Sequence, residues 1–211
     1  MRGYINMHTH QAGQENAILN MYSDFEQESN AGNAYFSMGL HPWYLADAAQ
    51  AWESLKAGLQ RDSVLAIGEC GLDRLCSTEW TLQMHYFAAQ IQLANELGKP
   101  LIIHCVRAYE ECLNLLKEAC VPVIFHGFNR NARIAQTILD KGFYLSFGHA
   151  IFNPAVAAVA ATIPQSRLFL ETDDKPDLLI EDVYKRMSEL KKIHLDALIL
   201  QLENNFQKIF F

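Results

Sequence analysis

Six residues of metal-ligating type, His8, His10, Glu69, His104, His126 and Asp173, stand at the ends of short apolar runs. The runs are Tyr4–Met7, Val64–Gly68, Leu101–Ile103, Val121–Phe125 and Arg167–Thr172, all of strand length. Side chains alternate along a strand, so His8-Thr9-His10 turns two imidazoles to one face, where both can reach one cation. Ligands at the carboxyl ends of successive strands converge on the end of a barrel or sheet where α/β enzymes place their chemistry. Imidazoles with two carboxylates make a metal-site composition, and a two-metal site is expected. Glu69 lies between Gly68 and Cys70-Gly71, where little side-chain bulk blocks a ligand, and its two oxygens can bridge two cations. Each residue also has a structural alternative. His8 and His10 could be a hydrogen-bonded pair, Glu69 an exposed turn residue, His104 and His126 satisfied core histidines, and Asp173 a cap.

The elements that must position these residues alternate between strand-like and helix-like segments, as in α/β proteins with parallel strands. Strands are expected near Tyr4–His8, Ile18–Tyr22, Tyr35–Leu40, Val64–Gly68, Leu101–Cys105, Pro122–His126, Phe143–Phe147 and Leu168–Thr172. The clearest helix is Thr78–Leu97, in which Trp80, Met84, Phe87, Ile91 and Ala94 fall on one face. Gly98 and Pro100 then supply its stop signal. Tyr109–Ala119 and Asn131–Lys141 are shorter helices, with Gly142 as a C-terminal stop for the second. Eight strands of this kind predict a (β/α)8, TIM-type barrel in a single domain over residues 1–211. The joins between the first three strands read as loops, so the early outer helices are expected to be reduced or missing.

Half of the 211 residues are hydrophobic and 19% are charged, enough for a large core. Seventeen Lys and Arg against 24 Asp and Glu give a net charge of −7. That excludes broad coating of nucleic acid by phosphate neutralisation, though not a local basic pocket. No apolar stretch reaches the roughly 18 residues of a membrane span. The opening residues lack a basic segment, a long apolar stretch and a cleavage site, so a cytoplasmic location is expected. The five cysteines include no Cys-x-x-Cys and read as reduced thiols.

Taken in order, several segments resemble the TatD family of metal-dependent hydrolases. They are His8-Thr9-His10, Gly39-Leu40-His41-Pro42-Trp43, Ala66-Ile67-Gly68-Glu69-Cys70-Gly71-Leu72-Asp73, Lys99-Pro100-Leu101-Ile102-Ile103-His104-Cys105, Phe125-His126-Gly127-Phe128 and Glu171-Thr172-Asp173. The C-terminal Asn204-Asn205-Phe206 resembles the family's closing helix. The resemblance implies a deoxyribonuclease-like hydrolase of phosphodiester bonds, single-stranded DNA among its substrates, with two divalent metal ions. It implies that His8, His10 and Asp173 hold one ion, that His104 and His126 hold the other, and that Glu69 bridges them. Asp173 would also orient or deprotonate the attacking water. Zinc suits the histidine ligands, while manganese, iron, nickel or magnesium suit a mixed nitrogen and oxygen set.

The resemblance also places His41 at the mouth of the site as a substrate contact. Arg107, Arg130 and His149 follow strands and are further candidates for holding phosphate or carboxylate groups. Three positions depart from the family pattern. Asn6 replaces an aspartate two residues before the first histidine. Val106 replaces an arginine, with Arg107 one place later. Asp174-Lys175-Pro176-Asp177 replaces an apolar-proline segment. Two other functions fit the same residues: hydrolysis of a nucleic-acid-linked or small ester, and metal binding without turnover. A barrel with purely structural histidines would bind no stoichiometric metal. No obligate protein partner is expected.

Overall fold

The eight apolar runs form eight strands: β1 (Asn6–Thr9), β2 (Ala17–Met21), β3 (Tyr35–Met38), β4 (Val64–Asp73), β5 (Leu101–Val106), β6 (Val123–Phe125), β7 (Tyr144–Phe147) and β8 (Leu168–Leu170). The computed structural model describes residues 3–23, 25 and 35–211. The strands follow one another in sequence order in one sheet. Pairing is parallel for β1 with β2, β3 with β4, β4 with β5 and β7 with β8. The intervening helices are α1 (Ala48–Gly58), α2 (Trp80–Leu97), α3 (Tyr109–Leu115), α4 (Ala132–Asp140) and α5 (Pro154–Thr162), with α6 (Ile180–Lys191) and α7 (Leu195–Phe210) after β8. This is the α/β, TIM-type fold expected from the alternation of segments. Among the described residues no helix is long and apolar enough to cross a membrane. The described residues fall into two compact units, one with residues up to Leu19 and Phe125–Phe211, the other with Tyr35–Ile124 and the described residues from Asn20 to Phe25.

In the first unit β1 is tied to the end of β8. The His10 amide donates to the Asp173 carbonyl at 3.1 Å, and the Asp173 amide donates to the His8 carbonyl at 3.1 Å. Asn6 adds a side-chain clamp: its amide nitrogen donates to Thr172 Oγ1 at 2.8 Å and to Gln14 Oε1 at 2.7 Å, and its Oδ1 accepts the Thr172 amide at 3.0 Å. The clamp uses both a donor and an acceptor. An ionised aspartate has no donor, which gives a physical reason for asparagine here. On α7, buried Asn205 donates to the carbonyls of Gln165 and Leu168 at 2.7 and 2.9 Å, fixing that helix to the start of β8. On α6, the buried Tyr184 hydroxyl donates to the Ile5 carbonyl and accepts the Ile5 amide, both at 3.1 Å. Tyr184→Phe strands both backbone groups and should cost about 1–3 kcal/mol in urea unfolding. Unchanged stability would mean that water replaces the hydroxyl there.

In the second unit β4 continues through Glu69 to Asp73, beyond the end expected at Gly68, and all ten of its residues are buried. Gly71 makes this possible. Its φ is +143°, and a Cβ there would lie 2.0 Å from the His104 carbonyl oxygen. Only a residue without a side chain lets β5 come so close. Glu69 is therefore a strand residue and not a turn residue. Helix α2 ends at Gly98 in the left-handed conformation (φ +65°), as its stop signal requires. Its buried face is rotated from the expected stripe: Phe87, Ile91 and Ala94 are buried with Gln83, Gln90 and Leu93, whereas Trp80 and Met84 are only partly covered. The glutamines are buried because their amides serve backbone groups. Gln83 accepts the Asp73 amide at 2.9 Å and donates to the Asp73 carbonyl at 3.2 Å. Gln90 accepts the Leu40 amide at 2.7 Å and donates to the Leu40 carbonyl at 3.2 Å.

The early helices are partly as expected. The residues joining β1 to β2 form turns and no helix. Helix α1 after β3 was not foreseen. Ala48, Ala51, Trp52 and Leu55 stand at helical spacing along it, and Ala48, Leu55 and Gly58 are buried. Most of the β2–β3 join lies outside the described residues.

Candidate metal centre

Each unit gathers its own ligand set. In the second unit, ligand atoms of His41, Glu69 and His104 lie within 4.8 Å of one another. Asn20 on β2 grips Glu69 twice. Its Oδ1 accepts the Glu69 amide at 2.9 Å, and its Nδ2 donates to Glu69 Oε2 at 3.0 Å. Ser37 on β3 in turn donates to Asn20 Oδ1 at 3.2 Å. With Oε2 held this way, Oε1 faces His104 Nδ1 at 3.3 Å and His41 Nε2 at 3.7 Å.

The two histidines differ in tautomer, as assigned from their partners. His104 Nε2 lies 3.1 Å from Asp73 Oδ2. A proton on Nε2 leaves the Nδ1 lone pair towards Glu69, which is the carboxylate–histidine arrangement that orients a metal ligand. His41 is the reverse. Its Nδ1 accepts the Trp43 amide at 3.1 Å, so in the neutral ring Nε2 carries the proton. His41 is thereby set to donate a hydrogen bond, as a substrate contact would.

Asp73 is the anchor beneath His104. Burial opposes its ionisation, but hydrogen bonds with His104, the Trp43 indole and the Leu75 amide outweigh that, holding its carboxyl well below the usual carboxylate range. Asp73→Asn weakens the hold on the His104 ring and should lower divalent-metal affinity about 10–100-fold in chelator competition. Unaltered affinity would remove His104 from the ligand set.

In the first unit, ligand atoms of His8, His126 and Asp173 also lie within 4.8 Å of one another. Asp173 Oδ1 is 3.6 Å from His8 Nε2 and 3.5 Å from His10 Nε2. The His8 ring lies 4.4 Å from that of His126 and 5.2 Å from that of His10. Glu171 is fully buried. Its Oε1 accepts the Gly127 amide at 2.6 Å and lies 3.4 Å from His126 Nδ1. Asp173 itself is held in the left-handed region, with φ of 53°. For a residue with a side chain this is a strained setting, of the kind found at functional sites.

The donor set fits divalent metal. Ligand atoms about 2.1 Å from a tetrahedral ion stand roughly 3.4 Å apart. The nitrogen–oxygen separations of 3.3–3.7 Å in both sets match that spacing and exceed a good hydrogen bond.

The remaining candidates are spread more widely. His149 is exposed and shares a cleft of about 170 Å³ with Asn129, Glu171, Asp173 and Lys175. Arg130 is partly exposed and does not line that cleft. Arg107 is exposed, with a left-handed backbone (φ 52°). Val106 belongs to β5, where its carbonyl accepts the Arg74 amide at 3.1 Å. All five cysteines are free. Burial, then the charge of Glu69, pushes the Cys70 thiol far up, so it is no nucleophile. Asn20, Asp73, Glu171 and the two buried glutamines of α2, Gln83 and Gln90, were not assigned from the sequence. Asp73 and Glu171 stand inside segments quoted above, whereas no local pattern marks Asn20, Gln83 or Gln90.

Comparison with known proteins identifies the family. The family model described as TatD related DNase matches residues 6–211. YcfH of Escherichia coli K12, named as a metal-dependent hydrolase, is 31% identical over 84% of this chain and 74% of its own length. A Pantoea ananatis protein named 3′-5′ ssDNA/RNA exonuclease TatD is 29% identical over 81% of this chain and 69% of its own length. The crystal structure of YjjV, a TatD homologue from E. coli K12, superposes with a TM-score of 0.80. It is 24% identical and covers 92% of this chain and 85% of YjjV.

Proposed function

The chain belongs to the TatD related DNase family, whose relatives are metal-dependent hydrolases, and from that premise we propose that it hydrolyses phosphodiester bonds with two divalent ions. The observation that carries this reading is Glu69, with one oxygen fixed by Asn20 and the other 3.3 Å from His104 Nδ1. His8, His10, Glu69, His104, His126 and Asp173 are the residues that would hold the ions. Divalent ions at these residues would lower the pKa of water and neutralise charge developing on a phosphoryl oxygen.

The protein's own groups do the rest. Asp173 takes the proton of the attacking water, as a carboxylate within hydrogen-bond reach can. His41 donates from Nε2 to a substrate oxygen, because its Nδ1 is occupied by the Trp43 amide. His149 and Lys175, beside Asp173 in the same cleft, hold the negatively charged substrate. Arg107 and Arg130 serve as outer phosphate contacts. The exonuclease name of the Pantoea relative favours single-stranded nucleic acid as the substrate. Five free thiols suit a reducing cytoplasm.

The acidic net charge of −7 and the displaced arginine favour a second reading, hydrolysis of a nucleic-acid-linked or small ester at the same residues. The test is a parallel assay of single-stranded DNA and small esters, with zinc, manganese or magnesium. Metal-dependent cleavage of DNA is expected. Cleavage of the ester alone would favour the second reading, and no metal-dependent hydrolysis of either would reject both.

A further inference from the structure

Beside His41 the second unit displays three large rings to solvent: Tyr22, Trp43 and Tyr44, 43%, 54% and 50% exposed. They are ordered against one another. Tyr22 and Tyr44 stack with centroids 5.0 Å apart and planes at 27°, and Trp43 meets Tyr44 at 6.3 Å and 75°. The cluster runs straight into the ligand set. Trp43 is 5.1 Å from the His41 ring and 6.0 Å from the His104 ring, and Tyr44 is 5.6 Å from His41. Trp43 is also fixed in place, its indole donating to Asp73 Oδ2 at 2.6 Å and its amide to His41. An exposed ring held this firmly loses little conformational freedom when something binds against it.

We propose that Tyr22, Trp43 and Tyr44 form a stacking shelf for an unpaired nucleobase next to the group being hydrolysed. The nucleic-acid ligand rests on the phosphodiesterase reading above; the shelf itself rests on the rings. Their distance from His41 and His104 requires the occupant to be joined to the reacting group, because one substrate must touch both. Charge points the same way. With a net charge of −7 the chain gains little from general phosphate attraction. Arg74, which follows β4, is engaged by Glu111 and lies 4.3 Å over the Trp80 ring. Base stacking, which is tolerant of sequence, must then supply much of the affinity. A base inside a duplex cannot offer its face to the shelf, so the shelf selects single strands or frayed ends.

The test compares two fluorescein-labelled, hydrolysis-resistant phosphorothioate tetramers by anisotropy with the purified protein: oligothymidylate, and an abasic strand of equal length and charge. The wild type should bind the thymidylate strand about tenfold or more tightly, within the range for one or two stacked bases. Tyr44→Ala should bring the two strands within about twofold by weakening the thymidylate strand alone, and Tyr44→Phe should keep the preference. Equal binding of both strands by the wild type, binding of neither, or an unchanged preference in Tyr44→Ala would overturn the shelf. The two readings fail separately. Base preference in a protein without hydrolase activity would sink only the phosphodiesterase reading, and hydrolysis without base preference would sink only the shelf.

Discussion

Glu69→Ala should lose turnover, falling about 10³-fold or more in kcat, while its circular dichroism stays that of the wild type. On the proposed two-metal reading several kilocalories of transition-state stabilisation depend on charge held at this site, and in the second unit ligand atoms of Glu69, His41 and His104 lie within 4.8 Å of one another. Its oxygens face Asn20, His41 and His104, and it is 4% exposed. Folding should survive because the substitution removes a buried charge and leaves the backbone bond from Glu69 to Asn20 in place. Glu69→Gln makes the control, since it keeps the volume and one acceptor and should still lose most metal. Near-normal, metal-dependent activity in Glu69→Ala would refute the assignment.

Asp173→Asn should have the next largest effect. An amide keeps one oxygen for ligation and fits the same volume, but it cannot take a proton from water. The loss expected for a positioned general base is about 10²–10⁴-fold in kcat. Metal content separates the two roles of Asp173. A kcat loss with metal largely retained assigns it as the base, whereas parallel losses of metal and kcat make it a ligand alone. Normal kcat would remove it from the chemistry. Its left-handed backbone, pinned to His8 and His10 by main-chain hydrogen bonds, keeps the carboxylate aimed at those rings in the wild type.

The eight strands were legible because each is a short apolar run bounded by polar or turn residues. The six ligand candidates stood at their ends for the same reason. What escaped the sequence was whatever depends on contact between distant segments. The continuation of β4 to Asp73 rests on β5 approaching Gly71, and no local propensity records that. Asn20 looks like any polar residue in a half-buried strand until Glu69 is placed beside it. Gln83 and Gln90 interrupt an apolar stripe and turn its buried face, because their amides bond the backbone at Asp73 and Leu40. Helix α1 has only Trp52 and Leu55 as large apolar residues, so its stripe of Ala48, Ala51, Trp52 and Leu55 at helical spacing is an easily overlooked signal. Asn6 departs from the family pattern in sequence, and in three dimensions it is a clamp between β1 and Thr172.

The most direct measurement is elemental analysis of the purified protein, after loading with zinc or manganese, alongside Glu69→Ala and His104→Ala. Close to two divalent ions per chain, falling in both variants, is the expected result. No specifically bound metal in the wild type, or full metal content in both variants, would contradict a two-metal hydrolase and leave the histidines at the strand ends as structural residues.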